Sequence, residues 1–300
     1  MKVLITGASG LIGTALRRSL ETDGHEVVRL VRRDPVDRSE RFWDPSNGTL
    51  NSADVAGFAA VVHLAGAGIG DSRWTPARKR LILDSRVIAT ELLAQTLAAA
   101  PEPPAVLISG SAIGYYGDRP QPVTEDDGPA PSPDFLSDLC VAWEGATAPA
   151  AAAGIRTAHI RTGIVLAKSG GALGKLLLPF RLGLGGRLGS GKTWWSWITI
   201  DDEVRAIRHI IDSQVSGAVN LTTPQAVTVS EFTKTLGKVL RRPAFIPVPR
   251  FALELLLGKE LATALLFTSA RIVPHKLMES GFEFEHATIE EGLRAAIETS

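Results

Sequence analysis

Short apolar runs alternate with longer segments of helical period through the first half of the chain. Lys2–Thr6, "KVLIT", is apolar and β-branched, which predicts a buried parallel strand. Residues 11–20 have helical spacing, and Glu26–Val31 and residues 60–64, "AVVHL", read as the second and third strands. Residues 75–100 carry long helical periodicity, with Leu81, Ile82, Ser85, Ile88, Leu92 and Leu93 near one side. Residues 105–109 are predicted as a fourth strand, 135–153 as one helix ending at Gly154, and 156–161 as a fifth strand. Strands alternating with helices predict an α/β fold with a doubly wound parallel sheet.

The texture changes after about residue 166. "AKSGGALGKLLLPFRLGLGGRLGSGKTWW" is rich in glycine with interspersed cations, a pattern expected of loops that cover a ligand or form a lid. "SWITIDDEVRAIRHII" predicts a strand and an acid-capped helix, and Val229–Leu240 another helix. Pro247 and Pro249 mark a joint before a small helical region. The expected organisation is a nucleotide-binding domain over 1–165, completed by strands from later segments. A smaller α/β substrate side follows over 166–246, then a C-terminal helical module over 247–300.

Composition narrows the function. The 300 residues are 45% apolar and 21% charged, as in a soluble globular protein. Lys plus Arg equals Asp plus Glu, 32 against 32, so no global charge draws the chain to nucleic acid or an anionic membrane. A single cysteine excludes an internal disulfide and fits a reducing compartment. "MKVLITGASG" is too short and glycine-interrupted for a signal peptide, and no apolar run approaches the roughly 20 residues of a membrane span. The expectation is a cytoplasmic protein with a small-molecule substrate.

Thr6-Gly7-Ala8-Ser9-Gly10-Leu11-Ile12-Gly13 follows a strand and opens a helix, the context that gives such a motif meaning. Gly7 permits the tight turn, Gly10 close approach to a pyrophosphate, and Gly13 close helix packing. The helix N-terminal N–H groups of the Ser9–Ile12 stretch would face the phosphates. A Rossmann-like dinucleotide site is therefore expected. An NAD binder places an acid about 20 residues on. Here Arg32 and Arg33 come first and Asp34 follows, so the reading is NADP(H), with Arg32 the main 2′-phosphate contact and Arg33 beside it. A solvated basic pair is the other reading, and Asp34 leaves NAD open.

"TGASGLIG", "VVHLAG" and "SGSAIGYYGD" resemble the extended short-chain dehydrogenases/reductases. More narrowly the chain resembles the atypical group labelled NAD-dependent epimerase/dehydratase, or SulA-like. In that group the nucleotide-binding domain precedes a C-terminal helical module. "RW" at Arg73-Trp74, "SRVIATELL", "LPFRLGLGG", "SWITIDD" and "RIVPHKLMESGFEF" extend the match over nearly the whole length. The resemblance implies NADP(H) held by the glycine loop, Arg32, Leu64, Ala65, Gly66, Arg86, Ser109, Gly110, Arg161 and Val165. It also implies homodimerisation, since members of the extended group are often dimers.

In the wider group a Ser and a Tyr hold the substrate oxygen, a Lys lowers the Tyr pKa, and an Asn supports a water. Ser111 matches the Ser. Arg86 stands in place of the Asn, where it would reach the pyrophosphate or the water network. Counting back from Glu144 puts Leu136 at the Tyr and Cys140 at the Lys. The only tyrosines are Tyr115 and Tyr116, neither followed four residues later by Lys, so no Tyr-xxx-Lys pair exists. One of these tyrosines could take the catalytic or substrate role, or both are packing aromatics.

His63 and Cys140 read as core residues, and Asp201-Asp202 as a helix cap. No metal-ligand spacing is present. Lys175, Arg181, Arg187 and Lys192 would grip a substrate phosphate or lie on a solvated loop. The trio Trp194, Trp195 and Trp197 would pack the substrate side. Two functions remain open. One is an NADP(H)-dependent oxidoreductase or epimerase acting on a small substrate, nucleotide sugars included. The other is a non-catalytic NADP(H)-binding sensor or regulatory partner.

Overall fold

The computed structural model of the chain describes residues 1–298. Its first half runs β1 (Lys2–Thr6), α1 (Leu11–Thr22), β2 (Glu26–Val31), β3 (Glu40–Phe42), β4 (Ala60–His63), α2 (Pro76–Ala98) and β5 (Val106–Ala112). Next come β6 (Arg119–Val123), α3 (Phe135–Gly145), α4 (Ala148–Ala152) and β7 (Arg156–Thr162). The following stretch holds β8 (Ile164–Leu166), α5 (Gly171–Arg181), β9 (Trp194–Trp195), β10 (Trp197–Thr199), α6 (Ile200–Asp212) and β11 (Gly217–Leu221). The chain continues with β12 (Val227–Thr228), α7 (Val229–Leu240), α8 (Arg250–Leu257), α9 (Lys259–Ala262), β13 (Ala270–Ile272), α10 (His275–Glu279) and α11 (Ile289–Glu298).

Seven strands form one parallel sheet in the order β11-β7-β5-β4-β1-β2-β3. Successive strand residues point to opposite faces. Val3, Ile5, Val62, Ile108 and Ile160 therefore meet Leu16 and Leu20 of α1 and Ile207 and Ile210 of α6. Leu4, Val61 and Leu107 meet Leu93 and Leu97 of α2 on the other face. Helices on both faces of a parallel sheet make the Rossmann-like architecture that the strand–helix alternation predicts. A second core lies beyond the sheet, where Leu173 and Leu177 of α5, Trp195, Trp197, Phe232 and Leu293 pack together. Trp195 and Trp197 thus pack as expected, whereas Trp194 is half-buried beneath the Arg271 guanidinium, and Trp197 also donates to the Gln225 carbonyl at 3.0 Å.

Three local expectations are corrected. The predicted helix over residues 135–153 is two helices, α3 and α4, separated at Ala146 and Thr147. Pro149 lacks an N–H to continue the ladder, and the Thr147 hydroxyl bonds both the Glu144 carbonyl and His159 Nε2 at 2.8 Å each. The glycine-rich stretch read as a loop contains helix α5, whose apolar face is buried by Leu173, Leu177 and Phe180. The cap of α6 is Thr199, whose Oγ1 accepts from the Asp202 N–H at 3.1 Å. Asp202 is wholly buried and instead accepts the Glu285 and His286 N–H groups at 2.9 and 3.0 Å.

Candidate functional site: a glycine cradle and a buried polar network at the sheet's carboxyl edge

The glycine loop joins β1 to α1 at the carboxyl edge of the sheet. Gly7 has φ +67°, and a Cβ there would lie 2.6 Å from the Leu64 carbonyl carbon and 2.8 Å from the Ala65 nitrogen. A Cβ on Gly13 would lie 2.3 Å from the Gly7 oxygen. Both positions therefore require glycine. The Thr6 hydroxyl accepts the Leu64 and Ala65 N–H groups at 3.2 Å each, tying the end of β4 to the loop. Gly10 is the N-cap of α1 and supplies no side-chain acceptor, so no side-chain cap occupies the first-turn N–H groups among the described residues. The geometry fits a dinucleotide pyrophosphate.

The two arginines after β2 have different surroundings. Arg33 grips the buried Glu40 with Nη1 and Nη2 at 2.7 and 2.6 Å. That hydrogen bonding, aided by the Val36 N–H, holds the Glu40 carboxyl down at about 2. Arg32 is exposed and forms no ion pair among the described residues. Its charge helps to lower the pKa of Asp44, after the Asn47 side chain that acts on it first. Arg33 is thus occupied structurally, while Arg32 is free for a phosphate.

Ser111 at the end of β5 donates to Glu144 Oε1 at 2.7 Å. Glu144 in turn receives Arg161 Nε at 2.8 Å and Nη2 at 2.9 Å. Arg161 Nη1 donates to the Tyr116 hydroxyl at 2.8 Å, which donates to Asn220 Oδ1 at 2.8 Å. Asn220 is held by Val273 and Glu125. Burial pushes the Tyr116 phenol up to about 12, and Arg161 only partly opposes it. Burial works against the Arg161 charge, but Glu144 overcomes this and raises its pKa. Tyr115 is half-buried, with the Arg161 guanidinium carbon 3.4 Å from its ring centre. Of the two phenols, Tyr115 is the one not enclosed in the network.

Cys140 is buried, its sulfur 3.6 Å from the Ala112 carbonyl, and burial pushes the thiol up to about 12. A thiol held neutral in this way is a core residue, as expected. His63 is likewise core. Its ring nitrogens meet Thr6 Oγ1 at 2.7 Å and Thr90 Oγ1 at 2.9 Å, and burial lowers its pKa to about 3. Among the remaining expected contacts, Ser9 is exposed on the loop, Ser109 and Gly110 are buried in β5, and Val165 packs at the edge of the main core. Lys175 donates to the Gly70 carbonyl at 3.0 Å, joining α5 to the segment before α2.

Leu136 lies against Gly114 of the Tyr-Tyr-Gly turn, where a Cβ on the glycine would approach to 3.0 Å. It also lines a cavity of about 400 Å³ with Trp74, Phe135, Glu260, Thr263 and Thr268. Trp74 and Phe135 meet edge to face at 4.9 Å. Sequence reasoning did not single out Glu144 as a hub, Asn220, or the Trp74–Phe135 wall. Their partners are brought together by sheet order, and no local spacing announces them. One group of potential cation ligands, Asp202, Glu285 and His286, occurs among the described residues.

Comparison with known proteins places this geometry in a family. The NAD dependent epimerase/dehydratase family matches residues 3–222, and a domain of unknown function matches residues 248–296. Epimerase family protein Mb2239 of Mycobacterium bovis is 42% identical over 292 residues, 97% of this chain and 96% of that relative. The human epimerase family protein SDR39U1 is 34% identical over 300 residues, 99% of this chain and all of that one. A crystal structure of human SDR39U1 (isoform2) with NADPH superposes with a TM-score of 0.89, at 32% identity and full coverage of both chains. The chain belongs to the NAD-dependent epimerase/dehydratase family, within the extended short-chain dehydrogenases/reductases.

Proposed function

We propose that this chain binds NADP(H) and uses it as an oxidoreductase or epimerase on a small molecule held in the cavity beside Trp74, Phe135 and Leu136. The observation that carries the cofactor reading is the division of labour after β2: Glu40 occupies Arg33, while Arg32 is exposed with no ion pair among the described residues and so open to a 2′-phosphate. The relative solved with NADPH supports it. The chemistry would run without a Tyr-xxx-Lys pair, through Ser111 and Tyr115 above the Glu144–Arg161 pair.

Titration with NADPH and NADH tests the cofactor. A charge-assisted contact from Arg32 favours NADPH by about 1.5–3 kcal/mol, roughly tenfold or more. Arg32→Ala should erase that preference and leave NADH binding unchanged. An equal preference before and after the substitution removes the reading.

A second reading has its own support. Ser111 and Tyr116 are already bonded inside the protein, as in a cofactor-binding sensor with no acid–base group to spare. The double variant Ser111→Ala, Tyr115→Phe separates the two. Loss of nicotinamide-linked turnover or of cellular function with NADPH binding retained supports the enzyme. Full cellular function with both side chains removed supports the sensor.

A further inference from the structure

Two stretches of the chain carry cations without acids. Residues 168–192 hold Lys168, Lys175, Arg181, Arg187 and Lys192, and residues 238–253 hold Lys238, Arg241, Arg242 and Arg250, with no Asp or Glu in either. The fold lays these stretches side by side. The Ile246 and Val248 N–H groups donate to the Gly185 and Arg187 carbonyls at 3.2 and 2.9 Å, and the Gly189 N–H donates to the Val248 carbonyl at 2.9 Å. Gly186 has no room for a Cβ against the Ile246 carbonyl, and a Cβ on Gly183 would lie 3.7 Å from the Pro243 ring. The same junction exposes large apolar side chains. Leu182, Leu184, Phe245, Phe251, Leu255 and Leu256 are each 57–76% exposed. No residue of α8 is fully buried: Leu253 leans on the second core, while Phe251 and Leu255 stand exposed one turn apart. A folded chain rarely leaves so many apolar groups together in water unless the surface meets a partner.

Charge decides the partner. Lys238 is paired with Glu290 and Arg250 with Glu254, at 2.7 and 2.6 Å. Arg181, Arg241 and Arg242 are exposed and form no ion pair among the described residues. Arg181 directly precedes Leu182, and Arg242 lies three residues before Phe245, so these guanidiniums stand in the apolar patch or at its rim. A second copy docked here about a two-fold axis would set the same cations against each other, with no acid in either stretch to pair them. We propose that this face docks on an anionic lipid bilayer, Phe245, Phe251 and Leu255 entering the boundary of headgroups and acyl chains while Arg181, Arg241 and Arg242 meet lipid phosphates. The chain has no net charge, so the excess on this face is offset elsewhere and orients the molecule on the membrane. The face adjoins the cavity of Trp74 and Phe135: Arg73 donates to the Leu255 and Leu256 carbonyls, and Glu260, just after α8, lines that cavity. None of these face residues belongs to the glycine loop or to the Ser111–Glu144–Arg161 network, so the inference stands apart from the NADP(H) reading.

Co-sedimentation of the full chain with vesicles tests the proposal, using phosphatidylcholine alone and phosphatidylcholine with about one-quarter phosphatidylglycerol. The wild type should bind the anionic vesicles at least roughly tenfold more tightly than the neutral ones, and added salt should weaken that binding. The double variant Phe251→Gln, Leu255→Gln should lose about tenfold or more on anionic vesicles, because its apolar groups no longer enter the lipid. The double variant Arg241→Gln, Arg242→Gln should lose most of the preference for anionic over neutral lipid. It also keeps the proposal testable should the first variant fail to fold. Both variants change exposed side chains, so melting temperature and NADPH affinity should stay those of the wild type. Absence of vesicle binding, equal binding to the two lipids, or variants that bind as the wild type does would each overturn the proposal. Light scattering that finds a dimer dissolved by the Phe251→Gln, Leu255→Gln variant, with no vesicle binding, would give the face to a second copy. Binding to poly-L-glutamate but not to vesicles would give it to an acidic protein. In either case the membrane falls as the partner.

Discussion

Glu203 is wholly buried at the start of α6, where Oε1 accepts the Thr162 hydroxyl at 2.8 Å and Oε2 has no hydrogen-bond partner among the described residues. Burial raises its pKa to about 8, against the pull of Thr162. The folded chain then holds a proton that the unfolded chain, with an ordinary carboxyl near 4.3, gives up. Its effect on stability is nil below about pH 4. It becomes increasingly unfavourable as pH rises toward 8, with a slope of about 1.4 kcal/mol per unit. Glu203→Gln should flatten the urea midpoint between pH 5 and 8 and raise it most at pH 8. Parallel curves for the two proteins would mean the carboxyl is ionised when folded. His63 acts at the acid end, where its folded pKa near 3 costs stability as pH falls from about 6.5. Its core role was legible because an apolar strand surrounds it in sequence. Glu203 was not, since an acid in a helix's first turn reads as a surface cap until the sheet above it is known.

The β1–loop–α1 unit was legible almost to the residue, because its constraint is local. Gly13 touches the Gly7 carbonyl, and both belong to one short motif. Gly13→Ala would drive a methyl to 2.3 Å from that oxygen and spread the loop. NADPH affinity is expected to fall by at least tenfold with only modest loss of melting temperature; retained affinity would show that α1 can shift without opening the cradle. The α3–α4 region was less legible, because apolar periodicity continues across the break. The interruption depends on Pro149 and on the bond from Thr147 to His159, which lies on β7 and is invisible to helical spacing. Thr147→Val keeps the shape and removes that bond, leaving His159 unpaired; a loss of about 1–3 kcal/mol is expected in chemical denaturation. The Ser111–Glu144–Arg161 network escaped the sequence for the same reason. Its members come from β5, α3 and β7, and only the strand order β7-β5 brings them into reach.

At the scale of the molecule, the C-terminal stretch joins both cores. Leu277 and Phe282 belong to the main sheet core, whereas Leu293 of α11 belongs to the second core with Trp197 and Phe232. β13 pairs with β6 beside the Tyr-Tyr-Gly turn, and the Ser196 hydroxyl, bonded to Ala270 and Ile272, pins β13 to the segment between β9 and β10. The buried Asp202 carboxylate is satisfied by backbone N–H groups of Glu285 and His286. A chain ending at residue 247 would leave that carboxylate without those donors and expose several large apolar side chains. Such uncompensated burial is what a cooperative fold does not tolerate. The shortened chain is therefore expected to aggregate or to lose its cooperative thermal transition and its NADPH binding together. In the full chain, Leu293→Ala should cost about 2–5 kcal/mol and lower the melting temperature without splitting the transition in two. Two resolved transitions, or a shortened chain that still melts cooperatively and binds NADPH, would make residues 248–298 an independent appendage. A single shifted transition would make them the clamp that holds the nucleotide-binding sheet and the second core in one folding unit.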